Sequence, residues 1–120
     1  MLDHYRTQLT RIPFGVAVLA SLLILFMPAS GVPSAPPGTD KVVHFALFAA
    51  LAATGRFAGF PTAKLLAALV GYAAVSEALQ GVLPIGRSCE LADGLVDVAG
   101  ALTGWAVVAL LRKISGASSR

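Results

Sequence analysis

Charge is what this chain has least of. Only 12% of its 120 residues are Asp, Glu, Lys or Arg, against roughly 25% in a soluble domain. Hydrophobic residues supply 57% and the mean hydropathy is +0.80, so the shortage comes with long uncharged runs. Together they place the chain among membrane proteins, and the length allows one domain, residues 1–120. Cysteine is almost missing. The single Cys89 excludes an internal disulfide and any multi-cysteine metal site. Aromatics are sparse and the basic residues scattered, so the net charge of +3 does not point to nucleic acid. Cationic ends resting on the cytoplasmic membrane face account for it. There is also no HExxH, no GxSxG and no glycine-rich phosphate loop.

What is present is a set of apolar stretches separated by turn signals. After a polar head with Arg6 and Arg11, residues 12–28 carry no charge and reach about the shortest length that spans a bilayer. A cleavable signal peptide is the rival reading of this segment; a retained helix closes the topology better. SGVPSAPPGT follows as a loop. Asp40 then opens a second helix over residues 42–60, where an acid favours the start, and Arg56 lies near its far end. A third helix is expected over 64–83, stopped by Pro84-Ile85-Gly86, and a fourth over 93–111, ended by Arg112 and Lys113. The expected fold is an all-α integral membrane four-helix bundle.

Its orientation follows from the cations. The two ends and the 2–3 loop hold seven (Arg6, Arg11, Arg56, Lys64, Arg112, Lys113, Arg120), while the other loops and their flanks hold two, Lys41 and Arg87. The positive-inside rule puts both termini of a multi-pass membrane protein in the cytoplasm.

That topology has a consequence for the acids. Asp40, Lys41 and His44 begin helix 2, Glu77 and Gln80 lie near the end of helix 3, and Asp93 and Asp97 begin helix 4. All fall at the outer end, with Arg87 in the outer turn. Glu77 and Gln80 are spaced i,i+3. Asp93, Asp97, Gly100 and Gly104 step along one face of helix 4, and Gly100-x-x-x-Gly104 is a pattern for close helix approach. His44, Phe48, Leu51 and Gly55 form a facing stripe on helix 2. Ionisable residues at membrane depth are costly and mark functional sites by default. Arg87 has the planar fork to grip a carboxylate or phosphate. With Glu90 of the outer loop, five acids against two permanent cations call for a proton on Glu77 or Asp97, or for a divalent cation joining the cluster; no other cofactor is called for.

The pattern Asp40-Lys41-x-x-His44-Phe45, Glu77-x-x-Gln80-x-x-x-Pro84-x-x-Arg87 and Asp93-x-x-x-Asp97-x-x-Gly100-x-x-x-Gly104 closely resembles the VanZ-like membrane proteins. The resemblance covers about residues 12–111. One position departs: the family usually has Asn where this chain has Asp97, which adds an acid to the pocket. The resemblance implies a small bacterial membrane protein related to one linked with teicoplanin resistance, but it supplies no reaction, so function has to come from the site.

Three functions are consistent with these residues. The first is an outer-leaflet pocket of Asp40, Lys41, His44, Glu77, Gln80, Arg87, Asp93 and Asp97 that binds or modulates an envelope lipid headgroup, a lipid-linked cell-wall precursor or a glycopeptide-type antibiotic. The second is an enzyme acting on a lipid-linked substrate, with His44 as general acid or base and Glu77 as its partner. The third is a proton-linked transporter using Glu77 and Asp97. A purely structural polar network that fixes helix register is the bland alternative.

Overall fold

The computed structural model describes residues 2–27, 36–84, 86 and 91–118. It is all-helical, with no strand among the described residues: α1 Leu2–Leu25, α2 Thr39–Phe57, α3 Thr62–Val82 and α4 Leu91–Ser118. Each apolar run became one helix, but the ends moved. Helix α1 starts at Leu2 rather than Ile12, because nothing in the polar head breaks it. Pro13 lies inside the helix. Helix α2 starts at Thr39, where Gly38 at φ 88° turns the chain and the Thr39 hydroxyl and N–H both bond Pro36 O, at 2.8 and 3.2 Å. It ends at Phe57 rather than Phe60. Gly59, at φ 92°, donates to Arg56 O at 3.0 Å and Phe60 N–H donates to Gly55 O at 3.1 Å, a Schellman stop that only a residue free to take positive φ provides. Helix α4 runs past Arg112 and Lys113 to Ser118.

Helices α1, α3 and α4 each contain a stretch long and apolar enough to cross a membrane: Gln8–Leu25, Thr62–Val82 and Leu91–Gly116. Helix α2 is less apolar, because Asp40, Lys41 and Arg56 all fall within its 19 residues. It is also the hub, packed against each of the other three. A helix with charges at both ends is thus the one the others cover.

Helices α2 and α4 run parallel and touch through backbone. A Cβ on Gly100 would lie 3.1 Å from Phe45 Cα and one on Gly104 would lie 2.9 Å from Ala49 Cα, each colliding with the carbonyl oxygen of the same residue. Two glycines one turn apart let the axes approach this closely. At the far end Arg112 donates to Arg56 O at 2.8 Å and Trp105 Nε1 donates to Thr62 Oγ1 at 3.2 Å. Between the ends lies the apolar core of Leu25, Phe48, Leu51, Ala52, Leu65, Leu69, Ala73 and Ala101.

The outer surface is the reverse of a water-soluble one. Val16, Leu23, Val42, Val75, Leu95 and Leu110 point outward, while Ser21, His44, Ser76, Glu77, Gln80, Asp93 and Asp97 are buried. In water such a coat would be an association liability. In lipid it is the required solvent-facing surface, with the polar groups turned inside.

Candidate functional site

The site is assembled by helix register. On α2, Asp40 and His44 are one turn apart; on α4, Asp93 and Asp97 are one turn apart. Because the two helices run parallel with their first turns side by side, the two ladders face each other. Lys41 Nζ meets Asp93 Oδ1 at 3.2 Å. One turn deeper, His44 Nδ1 and Asp97 Oδ1 are 2.7 Å apart. The short inner distance depends on Gly100 and Gly104, which hold the backbones together just beyond it.

Helix α3 supplies the third inner member. Glu77 Oε1 lies 3.8 Å from the same His44 Nδ1, so one ring nitrogen faces two carboxylates. On the other side of the ring, His44 Nε2 lies 3.6 Å from Asp40 Oδ2. His44 is 1% exposed, Asp97 0% and Glu77 5%. Asp97 Oδ2 is buried with no hydrogen-bond partner among the described residues. Charged side chains withdrawn this far from water need neighbours that neutralise or bind them.

A groove leads to this centre. A cavity of about 350 Å³ lies between α3 and α4, walled by Val70, Ala73, Ala74, Leu91, Leu95 and Val98, with Gly94 and Glu77 completing it. Among the described residues Glu77 is its one ionisable wall. The buried centre and the apolar groove therefore share one side chain.

A family model described as VanZ/LLP1 matches residues 6–112. This chain belongs to the VanZ/LLP1 family. No curated protein and no solved structure matches it. The match takes in the polar centre and nearly all of the four helices, and with three helices apolar enough to span a bilayer it makes the chain a VanZ-like membrane protein.

Within this VanZ-like bundle the residues singled out from the sequence divide into groups. His44, Glu77 and Asp97 converge at the centre. Asp40, Lys41 and Asp93 form a rim above it, Asp40 and Lys41 exposed and Asp93 buried. Gln80 does not join them through its amide nitrogen: Nε2 donates to Leu25 O at 2.7 Å, satisfying a carbonyl at the end of α1 that has no partner within its own helix. Gly100 and Gly104 lie at the α2–α4 contact. Arg87 lies outside the described residues, as do Cys89 and Glu90.

One polar contact of the VanZ-like bundle was not anticipated. Ser21 donates to Val18 O at 2.7 Å, which uses its only proton, so the Tyr72 hydroxyl 2.9 Å away is the donor to Ser21 Oγ. This ties α1 to α3. Single hydroxyls in apolar runs carry no periodic signal, and nothing short of the helix register would have paired them. Among the described residues two donor sets have metal-like spacing, each with one atom per residue and all atoms within 4.8 Å: His44, Glu77 and Asp97, and Asp40, His44 and Asp93.

Proposed function

We propose that this VanZ-like protein sits in the bacterial cell membrane as a multi-pass bundle, both termini cytoplasmic, and binds the polar head of an envelope amphiphile at the His44 centre. The ligand class is a lipid headgroup, a lipid-linked cell-wall precursor or a glycopeptide-type antibiotic. One observation carries this reading: Glu77 belongs both to the buried polar centre and to the wall of the α3–α4 groove. An amphiphile needs that combination, an apolar trough for its chain and polar groups where the trough ends. The groove falls in the range of roughly 300–1,000 Å³ common for ligand sites. Lys41, exposed on the rim beside Asp93, is placed to attract a phosphate.

The test is lipid retention. Full-length protein purified in mild detergent and analysed by mass spectrometry should carry a defined amphiphile. Occupancy should fall about tenfold in Glu77→Gln and in His44→Ala, a loss of about 1.4 kcal/mol. Equal occupancy in the wild type and both variants contradicts the reading. For the antibiotic arm, a strain lacking the protein is complemented with wild type or His44→Ala, and teicoplanin susceptibility should follow the histidine.

The 2.7 Å His44–Asp97 contact supports a second reading, an enzyme acting on a lipid-linked substrate. Asp97 would hold the ring and leave Nε2 to move a proton. Turnover of a lipid-linked phosphate ester by wild type and not by His44→Ala supports it; equal rates contradict it.

A further inference from the structure

We infer that His44, Glu77 and Asp97 form a binding site for one divalent transition-metal ion, of the zinc or manganese type. The inference deepens the amphiphile reading, since it names an inorganic occupant of the same centre, and it rests on that centre being a ligand site.

Donor chemistry comes first. One imidazole nitrogen and two carboxylates suit a borderline divalent ion, with the imidazole favouring zinc and the oxygens admitting manganese. Metal–ligand bonds of about 2.0–2.2 Å at tetrahedral angles leave donors about 3.3 Å apart. The observed separations from His44 Nδ1, 2.7 Å to Asp97 Oδ1 and 3.8 Å to Glu77 Oε1, lie either side of that value. One ligand atom from each of the three residues lies within 4.8 Å of the other two. With a neutral imidazole and both carboxylates ionised, the ligand set has a formal charge of two negatives, which one divalent ion cancels where water does not reach.

Two independent observations point the same way. The first is Asp97 Oδ2, an acceptor on a fully buried side chain with no hydrogen-bond partner among the described residues. A carboxylate oxygen left that way is expensive, and a cation resolves it. The second lies across the ring. A metal on Nδ1 obliges His44 to keep its proton on Nε2, and Nε2 faces Asp40 Oδ2 at 3.6 Å. At that distance, and with Asp40 exposed, the pair is longer than a hydrogen bond, so Asp40 adds a nearby negative charge behind the ring and not a fixed outer partner. The other spaced set, Asp40, His44 and Asp93, is a weaker cage: Asp40 is exposed and Asp93 already meets Lys41 at 3.2 Å.

The experiment uses the full-length protein in detergent, stripped with chelator, loaded with Zn²⁺ or Mn²⁺ alone and desalted before elemental analysis. Wild type should retain about one ion per chain, released as pH falls and the ligands protonate. Glu77→Gln and Asp97→Asn, near-isosteric changes, should each lower retention at least tenfold, while Asp93→Asn retains the ion. A metal-induced rise in the unfolding midpoint, seen in wild type and lost in the two inner variants, reports the same site without relying on yield. No retained ion in folded wild type, equal retention in the inner variants, or selective loss in Asp93→Asn each overturns the inference. Lipid measured on the same samples separates the two readings. Lipid without metal overturns the metal site alone, and metal without lipid overturns the amphiphile reading alone.

Discussion

His44 on α2 and Asp97 on α4 are 2.7 Å apart and both fully buried, a closer contact between these two helices than Lys41–Asp93 at 3.2 Å or Arg112–Arg56 O at 2.8 Å. Removing His44 leaves the Asp97 carboxylate without its only hydrogen-bond partner among the described residues. Breaking a buried pair from one side costs about 3–5 kcal/mol. His44→Ala should therefore lower stability by that order in a reversible unfolding assay in detergent. Lys41→Ala should cost less than His44→Ala, since Asp93 is buried but the Lys41 side chain is 45% exposed and water can reach the pair from that side. Equal losses for the two would show that burial does not govern the site.

The glycines of α4 make a second, separable prediction. Gly100→Ala and Gly104→Ala each drive a Cβ into an α2 carbonyl, and overpacking of this kind costs about 1–3 kcal/mol. Because the damage is a wider α2–α4 spacing, it should also weaken whatever binds at His44. Gly15→Ala and Gly71→Ala meet nothing within 4 Å and should be neutral or stabilise by up to about 1 kcal/mol through helix propensity. Thermal unfolding of the four variants checks the contrast.

Gln80 should behave as a helix-end clasp and not as a ligand. Gln80→Leu leaves Leu25 O without the bond it accepts at 2.7 Å, a loss of about 1–3 kcal/mol. Hydrogen exchange should quicken at the end of α1, while metal retention per folded chain stays unchanged. Loss of the ion with no change at α1 would return Gln80 to the centre.

Orientation has its own test. The lone Cys89 lies in the connection between α3 and α4. A membrane-impermeant maleimide should label it on intact cells, and labelling only after lysis would invert the topology.

Some of this was legible in the sequence, for a physical reason. Residues at i,i+4 on a helix share a face whatever surrounds them, so the ladders Asp40/His44 and Asp93/Asp97 could be read directly, and the turn signals placed them at the same end as Glu77. The depth of each residue could not. Whether Asp93 or Asp97 meets His44 depends on the axial offset of two parallel helices, which is set by where Gly100 and Gly104 lodge against Phe45 and Ala49. Gln80 shares a stripe with Glu77, and only the helix packing shows that its amide nitrogen is taken up by Leu25 O at the end of α1. The helix ends moved because the apolar run marks the lipid-facing part of a helix, whereas Gly38 and Gly59 mark where its backbone turns.

The reading of this protein as an amphiphile-binding bundle turns on the groove that ends at Glu77. Gly94 lines it, and a Cβ there would meet Glu77 Cγ at an unstrained 3.7 Å, so a leucine at that position starts without a backbone clash and adds its bulk to the trough. Gly71→Leu adds the same bulk to α3 in open space. Native mass spectrometry of the two variants beside wild type is the most direct measurement. Loss of the retained amphiphile in Gly94→Leu, with wild-type occupancy in Gly71→Leu, is the predicted result. Equal occupancy in all three would contradict it.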